Sequence, residues 1–327
     1  MKYIILFLFI ISCSKSETIN SNNEDELTNS KKIHWEISEN DLIGKFDPFP
    51  EIDSLQFTSE PIYLNKISNK HRVALVNIED QNLVFLFGDL GYFEVLNFNW
   101  NGKSYAVSHC PITNTTLVFK LELGNKLKAS GFRYRENLVM YNSKKDSYFS
   151  QMQERRIAGQ QYILGNSLPL LDTRWGTIKN IYSNIKVAQV LDEDLGLYQQ
   201  TRGYNSEEVL DWEHMSIGIN NDKIKNNIDI IPFKKISSKE KFSCKLKSTF
   251  IIGDKNKNIV RVFILNENQT LSIHSSGNYL IDGLDKYDWN GYCFEGPNIY
   301  KQLVIKKGYL GGTLSFQNMF EKTNIIK

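Results

Sequence analysis

VLNFNWNGKSYAVSHC, residues 95–110, is the stretch on which the reading of the fold turns. Leu96, Phe98 and Trp100 alternate with Asn97 and Asn99, and after the break Tyr105 and Val107 alternate with Ser104, Ala106 and Ser108. A period of two places the apolar set on one face of a strand. Between the two runs lies Asn101-Gly102, a pair that accepts the positive φ angles of a tight type I′ turn. The stretch is therefore a β-hairpin. Its second strand ends at Cys110, because Pro111 has no N–H to continue a ladder.

Working outward, the same grammar recurs. "HRVALVNIEDQNLVFLFG" (71–88) holds two β-rich runs around Glu79-Asp80-Gln81-Asn82, and "TTLVFKLELGNKLKASGFRY" (115–134) predicts another hairpin about Gly124-Asn125-Lys126. "NLVMYN" and "DSYFSQM" form a further pair split by Ser143-Lys144-Lys145. One helix is expected, over residues 172–184, with Asp172 or Thr173 as its cap. "YLGGTLSF" (309–316) reads as a turn between strands, since it lacks the lysine of a phosphate loop. The expected class is mainly β (α+β), a β-rich globular body with few short helices. Residues 72–87 and 248–265 both run strand, turn, strand, and an Asn-Gly step and a cysteine come after each. Two related lobes are one reading of that likeness; the common appearance of hairpins is the other.

The ends and composition bound the setting. Lys2, the apolar run from Tyr3 to Ile11 and the sequence Ile10-Ile11-Ser12-Cys13 form a signal segment too short to span a bilayer as a helix. It resembles a bacterial lipobox, which implies cleavage after residue 12 (signal peptide 1–12) and diacylglycerol on the thiol of Cys13. Residues 13–31 are Ser-, Asn- and charge-rich and are expected to be a flexible tether. The body then divides into a β-rich part at 32–204 and a second at 205–327. Ser14 after the acylated cysteine does not suggest inner-membrane retention, so the outer membrane is the expected location. The 39 Lys and Arg nearly balance the 37 Asp and Glu, leaving +2 and no basic stripe, which argues against nucleic acid as a partner.

With Cys13 acylated, Cys110, Cys244 and Cys293 remain. The expected arrangement is a Cys244–Cys293 disulfide with Cys110 free, three reduced cysteines being the alternative. The five histidines show no metal-ligand spacing, so no metal is expected, and no cofactor is indicated. Beyond Pro111, the residues Thr113, Asn114, Thr115 and Thr116 put hydroxyls and an amide on a loop beside one thiol. Such a loop on a rigid sheet suits a ligand. The plainer alternative is a small, buried cysteine at a strand end.

The same residues carry a family resemblance. "VSHCPITNTTLVF" (107–119) is similar to the signature of a bacterial family built around the domain of unknown function numbered three-one-seven-nine. "SGFRYRENLVMYNSKKDSYFSQMQERRIAG" (130–159) resembles a second block of that family, Leu168-Pro169 with Trp175 a third, and Thr201-Arg202-Gly203-Tyr204 a fourth. Many relatives carry a second cysteine where this chain has Thr113, so dithiol or metal chemistry is not carried over. The family glycine is Asn114 here and the family tryptophan is Phe149. The resemblance implies a shared fold and no particular reaction.

On a strand, Ser147, Phe149 and Gln151 face one way, and with Arg155 they could complete a polar pocket around Cys110, Thr113, Asn114 and Thr115. Arg155 and Arg156 are otherwise simply solvated. Three roles are open to such a chain. It is expected to be an anchored module binding a small molecule or envelope partner, with its membrane contact through lipid on Cys13. The alternatives are a scaffold subunit of an outer-membrane complex and an enzyme or redox protein using the Cys110 thiolate.

Overall fold

Strands Val95–Trp100 and Lys103–Cys110 pair antiparallel with Trp100 opposite Lys103, and Asn101 and Gly102 turn between them at φ of 47° and 73°. The computed structural model containing this hairpin describes residues 33–53, 55–165, 167–182, 184–190, 212–220, 226–236, 240–246 and 248–326. Cys13, the 13–31 segment and residues 201–204 lie outside them. The described body is mainly β, arranged in several sheets with short helices. None of those helices is long and apolar enough to cross a membrane.

The motif hairpin extends through Thr115–Leu121 and Ser167–Leu168 into a four-stranded sheet. A five-stranded sheet runs Leu170–Arg174, Arg72–Ile78, Gln81–Leu86, Ile185–Val190, Leu55–Thr58. Its middle strands are apolar on both faces because both faces are covered. Ala74, Val76, Leu83 and Phe85 pack with Leu96, Phe98, Tyr105 and Val107 of the motif sheet. Val73, Leu75, Val84 and Leu86 turn the other way, onto Trp175, Ile252, Phe263 and Trp289. Each valine, leucine, isoleucine or phenylalanine among them contributes roughly 1.5–3 kcal/mol when fully buried. The second core thus joins residues on both sides of position 204, and His34–Lys327 is one compact unit.

Three local expectations give way to longer-range partners. Thr115–Leu121 and Lys128–Tyr134 do not pair: Gly124, at φ 76°, helps carry the chain out of the motif sheet into a second five-stranded sheet. There Lys128–Tyr134 pairs with Leu42–Gly44 and Asn137–Asn142 instead. The pairing of Asn137–Asn142 with Ser147–Ser150 forms as read. The helix expected over 172–184 shrinks to Trp175–Ile178, because Leu170–Arg174 finds an antiparallel partner in Arg72–Ile78. Neither Asp172 nor Thr173 caps it; Asp172 binds Arg72 and the Thr173 hydroxyl donates to the Lys257 carbonyl. Finally, Tyr309–Gly312 is a strand that runs into the helix Thr313–Met319, not a turn between strands.

Candidate functional site

Strand register sorts the motif into two faces. Cys110 lies opposite Thr115, His109 opposite Thr116, and Ser108 opposite Leu117. Directly opposed residues share a face and successive ones alternate, so Ser108, Cys110 and Thr115 look one way and His109 and Thr116 the other.

On the first face a closed polar network replaces the expected cavity. Asn137 Nδ2 donates to Gln151 Oε1 at 2.9 Å and to Thr113 Oγ1 at 2.9 Å. The Thr115 hydroxyl donates to Gln151 Oε1 at 2.7 Å, and Gln151 Nε2 donates to Ser108 Oγ at 3.0 Å and the Thr115 carbonyl at 3.2 Å. Asn137 Oδ1 accepts the Met152 N–H at 3.0 Å. All of these side chains except that of Met152, which takes part only through its backbone, are polar, and all are buried. Buried amides and hydroxyls are tolerated when each finds a partner, as here. Cys110 is 2% exposed, and its sulfur lies 3.8 Å from the Glu136 carbonyl. The lid over this face is the strand Tyr309–Gly312: Gly312 N donates to the Thr113 carbonyl, and a Cβ on Gly311 would sit 2.7 Å from Thr115 Cγ2. Glycine there is what lets the C-terminal strand close on the motif.

On the second face lies a buried ion pair. Arg72 grips Asp172 through Nε, at 2.8 Å, and Nη2, while its Nη1 donates to Asn114 Oδ1 at 2.7 Å. The guanidinium lies 3.9 Å from the Phe87 ring centroid. His109 meets the same ring edge-on at 4.9 Å and shares a hydrogen bond of 2.9 Å between Nδ1 and the Thr116 hydroxyl. Burial, reinforced by the Arg72 charge, pushes the His109 pKa down to about 3, so the imidazole is neutral. Asn114 holds φ 54°, a left-handed conformation that asparagine accepts and a bulky residue would not. Next to Thr116 and Asp172 is a cavity of about 20 Å³, room for one water.

The eight residues expected to border a pocket are thus split. Thr113, Thr115 and Gln151 come together, but in the sealed network; Cys110 is buried beside them. Asn114, half-buried, belongs to the Arg72 cluster. Ser147 is remote in role, its hydroxyl donating to the carbonyls of Lys145 and Gln160. Phe149 is fully buried edge-on to Tyr162, and half-buried Arg155 donates to Gln153 Oε1. Sequence reasoning missed Arg72, Asp172 and Asn137. The available signal was a charge inside an apolar run: Arg72 opens "RVALV" and Asp172 comes directly after "PLL".

The Cys244–Cys293 disulfide is not formed; both are free thiols. Cys244 lies in the sheet of strands Lys241–Leu246, Thr249–Asp254, Ile259–Ile264 and Val304–Ile305, whereas Cys293 belongs to another, its sulfur facing the Asp285 carboxylate and the Glu295 carbonyl. Burial pushes the Cys293 thiol pKa up. Among the described residues no three His, Cys, Asp or Glu side chains gather as a metal-binding group.

Fold and site define a β-rich globular protein whose motif strands enclose a buried amide–hydroxyl network on one side and an arginine–aspartate pair on the other. Residues 46–271 match the family described as protein of unknown function (DUF3179), and the chain belongs to that family. No curated protein and no solved structure matches it.

Proposed function

We propose that the protein is a lipid-anchored module of the bacterial envelope, held at the outer membrane through Cys13, which binds a small molecule or partner and does no thiol chemistry. The observation that carries this reading is the burial of Cys110, whose sulfur faces the Glu136 carbonyl at the end of the motif strand. A catalytic thiol needs a thiolate, a neighbouring base and access. The adjacent histidine points to the opposite face and is neutral beside Arg72. The family motif reads accordingly as a frame that joins the N-terminal strands to the C-terminal ones.

Thiol labelling at graded pH, with peptide mapping of the products, tests this. Cys110 is expected to stay unmodified in the folded protein and to react only after denaturant is added. Rapid modification with a midpoint well below that of a free thiol would transfer the assignment to the thiol enzyme. The anchor has its own test. Wild-type protein expressed in a bacterium is expected to partition into the detergent phase and to carry acyl label, and Cys13→Ala to do neither. Equal partitioning of the two would rule the lipid attachment out.

A further inference from the structure

Away from the motif network lies a cleft of about 370 Å³. Its volume falls in the range of small-ligand sites. Its chemistry is unusual in being almost wholly amide and aromatic, with Asn82, Asn180, Asn184 and Asn278 on one hand and Tyr279, Tyr292 and Phe294 on the other.

The amides are held by one end. Asn82 Oδ1 accepts from Asn77 at 3.1 Å and from Asn290 at 3.3 Å. Asn290 is itself fixed by the buried Arg261 at 2.6 Å. Asn180 Nδ2 donates to the Gly176 carbonyl at 2.8 Å, and Asn278 Oδ1 accepts from Lys257 at 2.9 Å. Asp288 Oδ1 accepts the N–H groups of Asn290 and Tyr292 at 2.8 and 2.9 Å. Among the described residues the opposite ends of these groups have no protein partner. The cleft therefore offers Asn82 and Asn278 as donors and Asn180 and Asp288 as acceptors, all pre-oriented.

The aromatic side is equally fixed. Tyr279 stacks on His274, with centroids 4.2 Å apart and planes at 13°, and Phe294 meets Tyr279 edge-on at 5.8 Å. Tyr292 and Phe294 are 38% and 43% exposed, a large apolar outlay for a solvent-facing strand. A ligand that matches this wall must carry an apolar face together with many hydroxyls that both donate and accept. A pyranose ring has that combination: axial C–H bonds on one face and equatorial hydroxyls around the rim.

We propose that this cleft binds a neutral sugar, one or two pyranose units of a glycan, with Tyr292 and Phe294 stacking on the ring and the asparagines and Asp288 reading its hydroxyls. The inference rests on the binding-module reading and names its ligand class. Five of the residues lining the cleft, Asn278, Tyr279, Asp288, Tyr292 and Phe294, lie beyond the 46–271 family match, so the family region and the C-terminal segment build the site jointly.

The test is saturation-transfer NMR and titration on the full chain, in a detergent without a sugar headgroup. The probes are the methyl glycosides of glucose, galactose, mannose and N-acetylglucosamine, with maltose and chitobiose. At least one is expected to receive saturation, and Tyr292→Ala and Phe294→Ala each to weaken it by roughly tenfold. Both side chains are exposed enough for the variants to fold, and Ile163→Ala, which changes an 82% exposed residue outside the cleft, is expected to bind like wild type. Absence of transfer from every probe, or transfer unchanged in both aromatic variants, would overturn the sugar assignment. Neither result touches the module reading, which stands or falls on Cys110 labelling.

Discussion

Replacing Arg72 by alanine is expected to destabilise the protein by about 3–5 kcal/mol, the cost of breaking a buried pair and leaving one charge behind. Arg72 and the Asp172 side chain are 1% and 3% exposed, so the carboxylate loses its cation in a site almost shut off from bulk solvent. The same substitution removes the hydrogen bond that holds Asn114 in its left-handed conformation and the cation over Phe87. A urea titration of the variant against wild type measures the loss as a fall in midpoint. The companion experiment is the double variant Arg72→Met with Asp172→Leu. Removing both charges for apolar groups of similar size is often neutral, so most of the stability should return. Arg72→Lys should fall between, because an ammonium cannot reproduce the two-pronged grip. A single-variant loss below about 1 kcal/mol would mean that the pair behaves as a solvated surface bridge, and the account of the second face would fail.

Legibility in the sequence tracks the range of the forces involved. The hairpin at 95–110 can be read because its causes are local: a period of two and a turn pair adjacent in the chain. The next turn, at 124–126, carries an equally good local signal, yet the chain changes sheet there. Lys128–Tyr134 pairs with Leu42–Gly44, and no short window contains both strands. The cap residues of the expected helix at 172–184 are genuine candidates on propensity, but Asp172 is worth more to Arg72, a hundred positions away, than to a helix end. The motif around Cys110 is legible as a cluster. Its inward direction is not, because what seals it is the strand Tyr309–Gly312, whose glycines read in isolation as a turn. Phe149 illustrates the same limit. As a departure from the family tryptophan it reads as a loss at a site, whereas it is a fully buried ring against Tyr162.

His109 provides the second large effect, and its sign is fixed by burial. In the folded protein its pKa is lowered to about 3, against an ordinary value of 6.5 in the unfolded chain. Between those limits the unfolded state binds a proton that the folded state refuses, so stability falls as pH drops through the window and is fully present above it. The slope approaches about 1.4 kcal/mol per pH unit, and lowering the pH from about 7 to about 4.5 should remove about 2–3 kcal/mol through this one group. Arg72 steepens the refusal because a second cation would sit beside its guanidinium. Glu94, whose backbone carbonyl accepts the His109 backbone N–H, acts in the opposite sense, since burial raises its carboxyl pKa and favours folding at lower pH. Comparison with His109→Asn separates the two. Asparagine can place its amide oxygen near the site of Nδ1 and keep the contact with Thr116, but it does not titrate. Urea midpoints collected at several pH values should show the wild type losing stability on acidification by about 2–3 kcal/mol more than the variant, on top of a constant packing offset. Parallel pH dependences for the two proteins would mean that the imidazole reaches solvent or a counter-charge, and that the second face of the motif is open where burial has been assigned to it.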